Sequence, residues 1–307
     1  MKLNQISASD EVTQTVVDKM MERGSVLQFA EFYSMSGNAE YARQAASASG
    51  GAFRQLDADY SANITSPVYS NPALRILGDL VQVDQAHERR GLDVNSVRAA
   101  ELLHFAANLG KQFQSHFFNG DSANYGEQFD GMKVLTGQSQ TIVAATNGLS
   151  IDTGNSDTAK TKQQKFLELI DILIESVEGG AEVLYMDGKT LSRLSSIARE
   201  YLTIGKDSFG NPVRYYNGVA VQSAGYDKNG SRILAHTEVT GSAANTTSIY
   251  ALRFGERADL SIATNIGLEV RDLGIVGAFY THKVEIDAAP VLLNEKAAAR
   301  LSGLIIP

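Results

Sequence analysis

The sequence predicts an α+β fold, with helices in the first two thirds of the chain and strands taking over in the last third. Three observations predict it. Apolar residues recur at helical spacing over 93–118. A helix–strand–helix order follows over 162–201, which suggests an α/β portion within the whole. From Val213 onward strands take over, and 268–272 and 279–286 alternate with a period of two, as strands with one face on a core do.

Bulk properties bound the function. The chain has 307 residues, of which 43% are apolar, enough for a core in one large domain or two intimate ones. Charged residues make up 20% and mean hydropathy is −0.14, so neither a disordered chain nor a membrane protein is expected. No apolar run reaches the roughly 18 residues that a spanning helix needs. The start, Met1-Lys2-Leu3-Asn4-Gln5, shows no apolar secretory core. Cysteine is absent, which excludes disulfides, thiolate metal sites and cysteine nucleophiles, and suits a reducing cytoplasm. The net charge of −8 argues against a surface that grips phosphates. An acidic wall can still enclose DNA, because it does not trap it.

The first helix is expected over 10–23, with Val12, Val16, Val17, Met20 and Met21 on one side and Gly24 ending it. This amphipathic face suits either docking onto the chain's own core or a partner. Residues 34–75 differ. Ser, Asn, Ala, Gly and Gln dominate, and the apolar residues Phe53, Leu56, Tyr60, Ile64, Val68 and Tyr69 are isolated. Such a stretch builds no core of its own, and a long structureless loop in a compact domain implies a job. The spaced aromatics favour ordering by another chain.

A strand-like run over 74–83 precedes the clearest helix, 93–118. Asp93 is its N-cap, and Val94, Val97, Leu102, Phe105, Leu109, Phe113 and Phe117 form its apolar face. Gly120 stands where a left-handed C-terminal glycine is expected. About 24 residues give a rod of roughly 36 Å. Residues 141–161 are polar and predict an exposed loop. Helices are then expected over 162–177 and 189–201, around a buried strand at Val183-Leu184-Tyr185-Met186. Asn217-Gly218 between Val213–Tyr216 and Val219–Val221 is the strongest hairpin signal, since Asn-Gly suits a type I′ turn. Strands are expected over 248–254, 268–272 and 279–286. In the last, Tyr280, His282, Val284 and Ile286 share one face with Ala278, and Phe279, Thr281, Lys283 and Glu285 the other. No internal repeat is present.

Several motifs invite catalytic readings and fail on chemistry. Asp152-Thr153-Gly154 matches the aspartic-protease triplet, but that reaction needs two carboxylates sharing a proton and no second triplet exists. Gly188-Lys189-Thr190 resembles the end of a phosphate-binding loop, but Val183 stands where its first glycine belongs. The five histidines (His87, His104, His116, His236, His282) form no metal-ligand pattern, and His282 is expected as a satisfied core histidine. No cofactor, metal or catalytic residue is therefore expected. The glycosylation-like triplets at Asn63, Asn229 and Asn245 carry little meaning without a secretory signal.

One resemblance draws these elements together. Phe117-Phe118-Asn119-Gly120-Asp121 followed by Phe129-Asp130-Gly131-Met132 resembles a segment of tailed-bacteriophage major capsid proteins, in which a long spine helix ends in an Asn-Gly-Asp turn before a Phe-x-Gly-Leu-like step. The stretch from the Asn217-Gly218 hairpin through Leu268-Glu269-Val270-Arg271-Asp272 is similar to that family's closing sheet. By element order the resemblance covers nearly the whole chain.

The resemblance implies the Hong Kong phage-type capsid fold, divided into an N-terminal arm (1–45), an extended loop (46–80), a peripheral domain (81–130 and 262–288) and an axial domain (131–261 and 289–307). It implies a non-enzymatic virion protein, made in the host bacterial cytoplasm, that assembles with itself as pentamers and hexamers into an icosahedral shell. That shell would enclose double-stranded DNA without sequence-specific binding and without a membrane. Scaffolding, portal and decoration proteins are possible partners. The extended-loop residues Phe53, Arg54, Leu56, Tyr60, Val68 and Tyr69 are the expected inter-subunit contacts, with Arg54, Glu88, Arg89 and Arg90 available for ion pairs. Some members cross-link a loop lysine to a neighbour's asparagine. No lysine lies between Lys19 and Lys111, so a non-covalent shell is expected. The arm-to-spine layout begins almost at Met1, so the scaffold is expected to be a separate protein or absent. The alternative is an encapsulin-type nanocompartment with the same fold and a protein cargo.

Overall fold

The computed structural model describes residues 1–35, 53–60, 73–207 and 209–307, with the backbone alone of two short strands at 41–43 and 68–70. The helices are α1 (Leu3–Ile6), α2 (Glu11–Arg23), α3 (Ser25–Phe29), α4 (Ala86–Arg89), α5 (Val94–Asn119), α6 (Met132–Leu135), α7 (Asp157–Glu175) and α8 (Gly188–Ile197). The strands are β1 (Phe32–Ser34), β2 (Tyr41–Arg43), β3 (Val68–Ser70), β4 (Arg75–Asp84), β5 (Thr141–Val143), β6 (Leu149–Ser150), β7 (Val183–Met186), β8 (Leu202–Lys206), β9 (Pro212–Tyr216), β10 (Val219–Ser223), β11 (Glu238–Thr240), β12 (Ala243–Leu252), β13 (Leu260–Val276), β14 (Phe279–Leu292) and β15 (Ala298–Ile305).

Among the described residues, these strands form three sheets. One has the order β1-β13-β14-β4. Its β13 and β14 pair antiparallel from Leu260↔Leu292 to Val276↔Phe279, with register shifts after Thr264 and Asp272. A nine-stranded sheet runs β5-β15-β12-β7-β10-β9-β8, with β6 and β11 beside β15 and β12. The third pairs β2 with β3.

Strand β7 shows why the nine-stranded sheet is central. All four of its residues are buried. Val183 and Tyr185 face one core cluster, and Leu184 and Met186 face the other. A strand covered on both faces needs a continuous apolar run, which is what the sequence has. Helices α7 and α8 cover one face, through Phe166, Ile170, Leu173 and Leu194. The opposite core receives Phe113, Phe117 and Phe118 from α5.

Helix α5 ties the two larger sheets together. Arg98, near its start, reaches Asp272 on β13 at 2.6 Å. Phe118, near its end, packs against Tyr185 and Tyr250 at centroid distances of 5.3 and 5.4 Å. Between them the buried Gln114 donates through Nε2 to the Ala224 carbonyl at 2.8 Å. Helix α2 docks on α5, burying Val16, Val17 and Met20. Gly110 permits the approach, since a Cβ there would lie 2.4 Å from the Met20 carbonyl oxygen.

Most expected helices and strands appear, with informative differences. Asp93 caps α5 by accepting from the Asn95 N–H. Asn217 and Gly218 both have positive φ, 48° and 83°, as a type I′ turn requires. Gly120 is not left-handed: its φ is −57°, and it is a glycine because a Cβ would lie 2.3 Å from the Phe129 carbonyl oxygen. Val12 is exposed and Thr13 is buried in its place. The polar stretch 141–161 contains β5 and β6, which pair parallel with β15, and the fully buried Ile151. Helix α7 begins five residues before the expected start, because Ser156 caps it by accepting from the Ala159 N–H. The last of the four expected helices stops at Ile197, and β8 follows it. Thr281 is buried, although the alternation puts it on the face opposite Val284 and Ile286, which are also buried; the register shift between Asp272 and Gly274 lies beside it.

Candidate assembly surface

The described part of the extended segment turns at Gln55–Ala58, where the Ala58 N–H meets the Gln55 carbonyl at 3.3 Å. Asp57 takes a positive φ of 62° there. Arg54 reaches back across this turn. It donates to the Ala58 carbonyl at 3.2 Å, and its guanidinium lies 5.5 Å from the centre of the Tyr60 ring. Phe53 is fully exposed, Leu56 is 89% exposed and Tyr60 66%. Of the six expected contact residues, the structure therefore brings Arg54 and Tyr60 together and leaves Phe53 and Leu56 facing solvent. Val68 and Tyr69 are placed by backbone only, on β3, opposite Arg43 and Ala42 of β2. Ile64 lies outside the described residues.

A second apolar surface was not anticipated from sequence. On β4, Val81 and Val83 turn inward while Ile76 and Leu80 are exposed. Ile275, Val276 and Phe279 are exposed at the far end of the β13–β14 ribbon. The available signal was a strand with apolar residues at both even and odd positions, which implies two apolar faces. Glu88 accepts from the Tyr280 hydroxyl at 3.3 Å, near this ribbon end, while Arg89 and Arg90 are exposed.

The tempting polar groups resolve into structural roles. Asp152 is bound by Ser150 at 2.9 Å and Lys162 at 3.1 Å. These two partners hold its carboxyl below the usual range, the reverse of a proton-sharing dyad. Asp187 caps α8 by accepting from the Lys189 N–H and is 1% exposed in its side chain. Arg232 lies 2.6 Å from Oδ1, and His236 Nε2 2.8 Å from Oδ2. Burial pushes this carboxyl up, but His236, Arg232 and the Lys189 N–H together hold it below its usual value. His282 is half-buried, 3.3 Å from Arg98, and burial followed by that cation's repulsion lowers its pKa despite the nearby Asp272. Among the described residues no group of three His, Asp or Glu side chains is placed to hold a metal. No helix there is long and apolar enough to cross a membrane.

Known structures share this architecture. A chain of the SrpI encapsulin complex from Synechococcus elongatus superposes with a TM-score of 0.61, at 15% identity, over 92% of this chain and 87% of that one. The capsid of a native GTA particle gives 0.59 at 14% identity, over 92% and 90%. The satellite phage P4 procapsid gives 0.54 at 12% identity, over 98% and 93%. The chain has the Hong Kong phage-type capsid fold. No protein-family model matches the chain, and no curated protein matches it in sequence. The capsid fold is thus kept here at 11–15% identity to such chains. In it, the long helix α5 and the β13–β14 ribbon form one packed unit, with the exposed Phe53–Tyr60 segment as a separate surface.

Proposed function

We propose that this chain is the major capsid protein of a tailed bacteriophage, assembling as pentamers and hexamers into an icosahedral shell around double-stranded DNA. The observation that carries this reading is the conjunction of a capsid fold with a coreless segment bearing Phe53, Leu56 and Tyr60 in the open. Burying a Leu- or Phe-sized side chain is worth about 1.5–3 kcal/mol, so these residues gain most across an interface.

In this reading residues 46–80 reach over a neighbour, with Phe53, Arg54, Leu56, Tyr60, Val68 and Tyr69 as contacts. Residues 81–130 and 262–288 form the peripheral domain, 131–261 and 289–307 the axial domain near each capsomer's symmetry axis, and 1–45 the arm. Head-to-tail contacts between different patches close into rings, and rings tile the shell. The function is mechanical, not enzymatic. The acidic chain lines the shell without holding the DNA, and assembles in the host cytoplasm with a separate scaffold or none; portal and decoration proteins are its further possible partners.

An encapsulin-type compartment is the second reading, favoured by the likeness to the SrpI encapsulin chain. Cryo-electron microscopy of the purified chain, with absorbance of the particle contents, separates the two. Shells with packaged nucleic acid from infected or lysogenic cells support the capsid; shells filled with one protein support the compartment. A strictly monomeric chain under all assembly conditions sinks both. Deleting residues 55–72 should leave a folded subunit that closes no shell, and normal particles from that deletion would overturn the role given to the loop.

A further inference from the structure

Helices α7 and α8 pack on the same face of the nine-stranded sheet, and the second half of α7, beyond Lys165, carries charge opposite to that of the outward side of α8. Glu168, Asp171, Glu175 and Glu178 follow one another at spacings of three, four and three, which puts them on one side of α7 and its last turn. All four are exposed. Among the described residues Glu168 is paired only within its own helix, to Lys165 at 3.1 Å. Asp171 accepts from Asn217 and Glu178 from Asn294, both neutral amides.

The α8 side is the reverse. Lys189 and Arg193, one turn apart, line a cavity of 570 Å³ together with Arg232. Arg199 and Arg214 line an adjoining cavity of 370 Å³, and the two share Ser192 and Ser196. No Asp or Glu side chain lines either. Arg232 is already bound by Asp187. Arg193 donates to an oxygen of the last residue, Pro307, at 3.5 Å, and acts on Asp152, whose carboxylate is already paired with Lys162. Three cations, Lys189, Arg199 and Arg214, thus face one groove without an ion pair among the described residues, in a chain whose net charge is −8.

We infer that the partner of this groove is a second copy of the same chain, whose acidic α7 face docks along α8. The inference rests on the shell reading above and names one contact within it. Charge complementarity carries it: each acidic stripe and each basic groove spans about ten residues of helix or its extension, roughly 15 Å. The two patches are different surfaces of one molecule, so the contact is head-to-tail and suits ring closure. Opposed charges of this kind set register and exclude wrong pairings more than they add affinity. The contact weakens as salt rises.

The test is a charge swap in the full chain. Lys189→Glu with Arg193→Glu reverses the groove, Glu168→Lys with Glu175→Lys reverses the stripe, and a third variant carries all four changes. Assembly is followed by light scattering and electron microscopy, with circular dichroism to verify folding. Each two-site variant should lower shell yield by about tenfold or more, and the four-site variant should recover it. Normal assembly of either two-site variant, or no recovery in the four-site variant, overturns the inference. If only the groove variant fails and its particles also lose nucleic acid, the groove belongs to a phosphate backbone instead. If the unmodified chain forms no shells at all, it is the shell reading that falls.

Discussion

Arg98 Nη2 lies 2.6 Å from Asp272 Oδ2, joining residues 174 positions apart. The same guanidinium sits 5.0 Å from the centre of the Tyr280 ring and 3.3 Å from His282 Nε2. One side chain at the start of α5 thus clasps both long strands, β13 and β14. Asp272 is about half exposed, so solvent screens the pair. We expect Arg98→Ala to lower stability by only about 1 kcal/mol. Hydrogen exchange at Asp272–Phe279 should nevertheless accelerate clearly, because the clasp holds the ribbon end locally. Unchanged exchange there would show that the ribbon does not depend on the clasp.

The far end of α5 depends on packing instead. Phe118 is fully buried between Tyr185 and Tyr250. Phe118→Ala should cost about 3–5 kcal/mol through lost burial and the cavity it leaves. Phe118→Leu should cost less. Equal losses in urea unfolding would mean that the ring geometry, not the filled volume, sets the stability.

Gly110→Ala opposes two effects in one substitution. Alanine in place of glycine favours a helix by about 1 kcal/mol. Its Cβ would meet the Met20 carbonyl oxygen at 2.4 Å, so α2 must shift away from α5. Overpacking of this kind costs about 1–3 kcal/mol. We expect a net loss, read as a lower denaturation midpoint. A gain would show that α2 rides loosely on α5.

Asp187 links stability to acid. Its folded pKa lies below the ordinary value of 3.8. The stabilisation is therefore complete above 3.8 and is lost as pH falls through the lower, folded value. Asp187→Asn retains a capping side chain but removes the charge facing Arg232. It should lose about 2 kcal/mol at neutral pH, and the difference from the unmodified chain should shrink as pH falls through the lowered folded value of Asp187. A pH-independent difference would place the effect in the cap alone.

The sequence was most legible where the signal was local. Asp93 and the apolar face of α5 specify a helix whatever it packs against, and Asn217-Gly218 suits a turn that few other residue pairs adopt. The run Val183–Met186 announced burial on both sides of β7. The coreless composition around Phe53, Leu56 and Tyr60 was readable for the same reason, since a segment too poor in apolar residues cannot cover its own aromatics. The capsid resemblance rested on the order of these elements, and the fold comparison supports that order.

What the sequence by itself determined, then, was the four longest helices, the principal hairpin, the central strand and the α+β fold class. Tertiary structure alone decided which distant strands meet. Ile142 pairs with Leu301 and Leu149 with Leu304, so a polar stretch that looks like a loop becomes part of a sheet. It also decided that Asp187, Arg232 and His236 form one cluster, and that the charges of α7 and α8 share one face of the sheet. The physical reason is common to all of these. Helix caps, periodicity and turn dihedrals act over a few neighbouring residues, whereas the strand and ion pairs named here depend on partners that folding brings from 45 to 174 positions away.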